Sequence, residues 1–149
     1  MMVCSLAPEP TTKIFTRQHY RRQVASVWAV AARKISDDLG GQCLEAWQKG
    51  HANPEQVATA VRFCLQLLRL RAPGNSVEVR VPPYGAAQVI AGPRHTRGTP
   101  PAVVEMSPEV WLGVATGSRT FSEALASGSI SASGERAELT AWLPIWPLA

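Results

Sequence analysis

The sequence is poor in the residues that usually carry chemistry. Its three cysteines, Cys4, Cys43 and Cys64, are odd in number and far apart, which fits neither a disulfide framework nor a CxxC metal knuckle. Its three histidines, His19, His51 and His95, are scattered, with no HxxxH or His–Cys cluster of the kind that binds zinc. A GxSxG nucleophile elbow, a Walker loop and a GxGxxG fingerprint are all absent. The acids stand singly, and two of them, Glu109 and Glu123, fall where helix starts need them. No catalytic constellation, metal site or cofactor motif is visible, so a non-enzymatic protein is expected. No apolar run approaches the ~20 residues of a membrane-spanning helix. The opening "MMVCSLAPEPTTK" lacks the basic n-region and the apolar length of a secretory signal, which points to the cytoplasm.

What is present is globular. Hydrophobic residues make up 46% of the 149 and charged residues 17%. The formal charge of +4 is mild, and the arginines that produce it are spread along the chain. Residues 1–50 carry seven Lys/Arg against four Asp/Glu, and residues 51–149 carry eight against seven. A nucleic-acid binder needs a denser basic stripe with interleaved aromatics, so no nucleic-acid partner is expected.

Residues 1–15 read as a disordered lead. From Arg17, Val24, Trp28, Ala31, Ile35 and Leu39 recur at helical spacing, and Gly40-Gly41 reads as the stop. "QCLEAWQKG" adds a turn or two of helix ending at Gly50, which completes an N-terminal helical extension over 16–52. Asn53-Pro54 with Gln56 forms a capping-box signature, followed by Val57, Val61, Cys64 and Leu68 on one face and Arg62, Gln66 and Arg69 on the other. "APG" at 72–74 ends that helix. The period then changes. "SVEVRVP" alternates strictly, "PPYG" turns the chain, "AAQVIAG" returns as an antiparallel partner and "AVVEM" forms a third strand. Ser107-Pro108-Glu109 starts a helix that Gly117 stops, and Thr120 with Glu123 boxes a shorter one ending at Gly128. "SISASG" reads as a strand with Ile130 and Ala132 on one face, and "ERAELTAWLPI" as a last helix broken at Pro144. This order gives an α+β fold, a mainly antiparallel sheet covered by helices.

Two features remain after these assignments. The first is the loop "GPRHTRGTPP", with Arg94, His95 and Arg97 between two strands. The second is an apolar surplus near the sheet, where Trp111, Leu112, Phe121, Leu125, Ile130, Leu139 and Trp142 crowd the last third of the chain. Helix-over-sheet layers of this kind either pack solid or enclose a cavity for a long apolar ligand.

The segment "VEMSPEVWLGVATGSRTFSEALASGSISASGERAEL" resembles the closing part of sterol carrier protein-like domains. "VEVRVPPYGA", "GPRHTRGTPP" and "ASGERAEL" together resemble the actinobacterial branch of bacterial sterol carrier orthologues, over about residues 54–145. That resemblance places the domain at 53–146. It implies a non-catalytic fold with an apolar tunnel for a fatty acyl chain, a sterol-like molecule or an isoprenoid, with no cofactor and no metal. The tail would lie against Val77, Val79, Val81 and Val89, under Trp111, Phe121, Leu125, Ile130 and Trp142. Arg94 or Arg97 would grip an anionic head group, since guanidinium pairs bidentately with carboxylate and phosphate. They could equally pair with Glu78 or Glu105 and only hold the loop.

Other readings stay open. Related domains serve thiol-cofactor-dependent isomerases, so the chain could be an accessory domain to a partner enzyme. His95 could act as an acid–base group, its pKa lowered by the flanking arginines. Residues 1–50 could dock a protein partner through Trp28 and Trp47. Transient membrane contact and a homodimer are compatible with all of these.

Overall fold

The computed structural model describes residues 34–92, 102–134 and 136–147. The expectations for the lead at 1–15, for the helix from Arg17 to Arg33 with Trp28, and for Arg94, His95 and Arg97 lie outside the described residues.

The best-signed helix forms as expected. The Asn53 side chain accepts from Gln56 N, and Gln56 Oε1 accepts from Asn53 N, both at 2.9 Å. Pro54 opens the first turn, where its missing N–H costs nothing. We label this helix α2, Pro54–Arg71, and the one before it α1, Asp37–Gln48. Of its predicted stripe, α2 buries Val61, Cys64 and Leu68 and half-buries Val57, and it buries more besides. Ala60, Phe63, Leu65 and Leu67 are also buried, because α1 covers one side and the sheet another. Each large apolar side chain so withdrawn is worth about 1.5–3 kcal/mol.

Gly40-Gly41 does not stop a helix. Both residues lie inside α1. α1 starts at Ser36, whose Oγ accepts from Leu39 N at 3.3 Å. Ile35, expected on a continuing helix, is outside it. Its N–H donates to Gln66 Oε1 at 3.0 Å and its carbonyl accepts from Gln66 Nε2 at 2.9 Å. Leu39, expected on the apolar face, is 50% exposed. The glycines serve close approach instead: a Cβ on Gly40 would stand 2.2 Å from Phe63 Cγ, and one on Gly41 would meet the Trp146 ring at 3.2 Å.

The sheet has four strands: β1 Val77–Val81, β2 Gly85–Val89, β3 Ala102–Met106 and β4 Ile130–Ser133, in the order β2-β1-β3-β4. β1 pairs antiparallel with β2 and β3 pairs antiparallel with β4. The central pair, β1 with β3, is parallel. Val77 faces both Val89 and Ala102, so the chain leaves β2 and enters β3 at the same end of β1. Alternation gives the sheet two unlike faces. Val77, Val79, Val81, Val104 and Met106 are buried under the helices, while Glu78, Arg80 and Glu105 occupy the opposite face.

A tight knot holds the end of β2. The wholly buried Ser76 donates to Ile90 O twice, from Oγ at 2.7 Å and from N at 3.1 Å. Ile90 N donates to Ala72 O at 2.7 Å. These bonds hold Ile90 at φ 61, a region a branched residue rarely enters. Gly74, at φ 153, is the only residue type that fits beside it, since a Cβ there would lie 2.1 Å from the Ile90 carbonyl.

The C-terminal third is built of shorter pieces. α3, Pro108–Thr116, starts at Ser107, whose Oγ accepts from Val110 N at 3.3 Å. Trp111 in α3 is fully buried and donates its indole N–H to Val61 O at 3.2 Å. α4, Phe121–Ala126, carries the expected Thr120–Glu123 capping box. In β4 only Ile130 is buried, so Ala132 does not share an interior face with it. The expected last helix is absent. Thr140–Trp142 makes a single 3-10 turn, with the Glu138 carboxylate accepting from Thr140 N at 2.8 Å. Beyond it the chain is extended, and Ile145 N and Trp146 N both donate to Ala115 O, at 2.9 and 3.0 Å. Pro144 and Pro147 favour extended backbone at the residues before them, and these bonds fix it there.

Candidate functional site

The structure gathers most of the predicted ligand-binding residues into one place, the buried core. Val77, Val79, Val81, Val89 and Trp111 are fully buried, with Phe121 and Ile130 nearly so, in one cluster with Val61, Cys64 and Leu68. Two residues fall outside it. Trp142 is half-buried against the cluster, and Leu125 is 37% exposed on α4. Glu78, offered to the loop arginines by the sequence, is occupied by Arg80, whose Nε donates to its carboxylate.

Among the described residues, two clefts flank this core. The smaller, about 180 Å³, lies between the end of α3, the start of α4 and the extended C-terminal segment. Val114, Phe121, Leu143 and Pro144 supply its apolar walls, and Arg119, Thr120 and Thr140 stand among its lining. Phe121 thus belongs to the cleft and to the core at once. Arg119 donates to Ser127 Oγ and, at 3.1 Å, to Ser129 Oγ. Among the described residues its guanidinium forms no salt bridge. Glu123 is held below the usual carboxylate range, chiefly because it accepts from Thr120 N and the Thr120 hydroxyl; partial desolvation opposes this, and the Arg119 charge adds the least.

The larger cleft, about 610 Å³, lies where the end of α1, the start of α2, the β1–β2 turn and the start of α3 meet. Trp47, Val57, Tyr84 and Pro108 form much of its wall, and Glu109 is the one charged residue in its lining. None of the predicted ligand-binding residues lines it. Its components are distant in sequence, and the only hint was Trp47, which stood out as an anchor for a protein partner.

The remaining reactive groups are quiet. Burial pushes the Cys64 thiol up to about 12 and raises Cys43 as well, so both favour the neutral thiol. Among the described residues no group of three or more His, Cys, Asp or Glu could hold a metal ion. No described helix is long and apolar enough to cross a membrane.

A mixed four-stranded sheet with capped helices packed on one face fits a sterol carrier protein-like domain. Residues 53–145, more than half of the chain, match the family described as "Bacterial SCP ortholog", and the chain belongs to that family. The match runs from the α2 cap, Asn53, to Ile145, whose N–H closes on Ala115. No curated protein matches the chain.

Proposed function

We propose that the protein binds and transfers a lipid-like apolar ligand without catalysing a reaction on it, working in the cytoplasm and needing no cofactor. The ligand is a fatty acyl chain, a sterol-like molecule or an isoprenoid. Family membership supports lipid binding in general. The observation that carries the reading in this chain is the small apolar cleft with a guanidinium in its lining, Phe121 and Leu143 beside Arg119.

The cleft as it stands takes only the end of a chain. A longer tail would displace the Phe121 ring and enter the cluster of Val77, Val79, Val81, Val89, Trp111 and Ile130, with Leu125 and Trp142 at the margin. Arg119 is one partner for an anionic head group, and Arg94, His95 and Arg97 are the others that the sequence offers. Opening would fall on α4 and the segment after β4, which bury few side chains.

Gently purified protein is expected to carry lipid in native mass spectrometry and to bind a fluorescent fatty acid. Arg119→Ser is expected to weaken the fatty acid severalfold, in line with the loss of a charge-assisted contact. Absence of both co-purified lipid and acyl binding sinks the proposal. Specific capture of an isomerase that depends on residues 1–50, without lipid binding, would favour the accessory-domain reading instead.

A further inference from the structure

The 610 Å³ cleft differs chemically from the small one. Two aromatic side chains, Trp47 and Tyr84, line it, both half-buried with their inner parts packed on the core. Val57, Pro54 and Pro108 supply aliphatic surface, and Glu109 supplies the only charge. No lysine or arginine is in the lining. The neighbouring Lys49 is turned along α1 onto Glu45, at 3.5 Å. Among the described residues Glu109 forms no salt bridge.

This composition selects against a fatty carboxylate, which would meet a like charge and find no cationic partner in the lining. It also disfavours a primary ammonium, which is strongly hydrated and needs several acceptors. The lining offers two side-chain hydroxyls, Tyr84 and Ser107, and Ser107 Oγ already accepts from Val110 N. What fits is a cation whose charge is spread over methyl groups. Such a group gives up little hydration, packs on aromatic faces and is balanced by a carboxylate that needs no N–H donor. We infer that the cleft formed by Trp47, Tyr84, Val57 and Glu109 is a binding site for a trimethylammonium group. Its volume lies within the range of small-ligand pockets, about 300–1,000 Å³, so it holds the head group and part of what is attached.

The test uses the full chain and calorimetric titration with choline and with its uncharged tert-butyl isostere. Choline is expected to bind at least about fivefold more tightly than the isostere, the discrimination that cation–π contact and one carboxylate supply. Glu109→Gln is expected to remove most of that difference and leave the isostere unchanged. Trp47→Leu is expected to weaken choline further, with an unfolding midpoint measured alongside to show the fold is kept. Sedimentation with vesicles separates the sources of the group. Retention on phosphatidylcholine but not phosphatidylglycerol assigns it to a lipid head group, and choline binding without retention assigns it to a free quaternary amine. Equal affinity for choline and isostere, or insensitivity to both Glu109→Gln and Trp47→Leu, overturns the inference. Acyl binding that persists in these variants leaves the lipid proposal standing on its own.

Discussion

The helical pair over the sheet and the C-terminal third are built on opposite terms. α2 is 18 residues long and is buried on two sides, with α1 pressed against it through a glycine that leaves no room for a methyl group. α4 is six residues long and buries only Phe121 and Ala124, and β4 buries only Ile130. The first region is held by area and fit; in the second, α3 is packed into the core while α4 and β4 rest on a cap and a few buried side chains. A protein that must stay folded while admitting a ligand gains from such a division, because local opening draws on the least stable elements. The small cleft, with Phe121 and Arg119, lies in the second region.

The comparison breaks first at Gly40. An alanine there would by itself favour the helix by about 1 kcal/mol. The clash with the Phe63 ring costs about 3 kcal/mol if the ring cannot move aside. Gly40→Ala is therefore expected to lower stability to chemical denaturation by about 2 kcal/mol. Adding Phe63→Leu should recover part of the loss; full additivity of the two changes would show that the contact is not tight.

Thr120→Ala removes the α4 cap and is expected to cost about 1 kcal/mol. The sharper readout is amide exchange, which should speed up in α4 and stay unchanged in α2. Uniform acceleration would erase the distinction between the two regions. The effect that is smallest at neutral pH concerns Cys64 in α2. Its thiol is raised to about 12 in the folded chain, so the neutral form is the one favoured by folding. Its contribution is intact below the ordinary cysteine value of about 8.5 and is lost as pH climbs from there through the folded value. The unfolding midpoint should decline above about pH 8.5 and decline less in a Cys64→Val chain.

Much of the fold was legible because it is written locally. Asn53-Pro54 with Gln56, the alternation of Val77, Val79 and Val81, the Ser107-Pro108 start and the Thr120 box each bind or bury within a few residues of themselves. The errors occur where distant residues decide. Gly40-Gly41 has the composition of a stop, and only Phe63 and Trp146 make it a crossing. "ERAELTAWLPI" has a helical look, but Ala115, far back in the chain, holds its end extended. The sheet is mainly antiparallel as expected; its one parallel pair, β1–β3, follows from where β3 re-enters, which local patterning does not encode. The same limit applies to the larger cleft. Trp47, Tyr84 and Glu109 meet only after three elements have folded around them.

Trp146 carries a consequence for the order in which the domain matures during synthesis. Its ring lies edge-on to Phe63, centroids 5.7 Å apart at 71°, and beside Gly41, while its N–H is tied to Ala115. It therefore joins α1, α2 and α3 from just beyond the end of the matched region. The helices can form and the β1–β2 hairpin can close as the chain emerges, but the seam between α1 and α2 stays open on that side until Trp146 has left the ribosome. A nascent chain halted before that residue would leave Phe63 and Gly41 without the ring that covers them on that side.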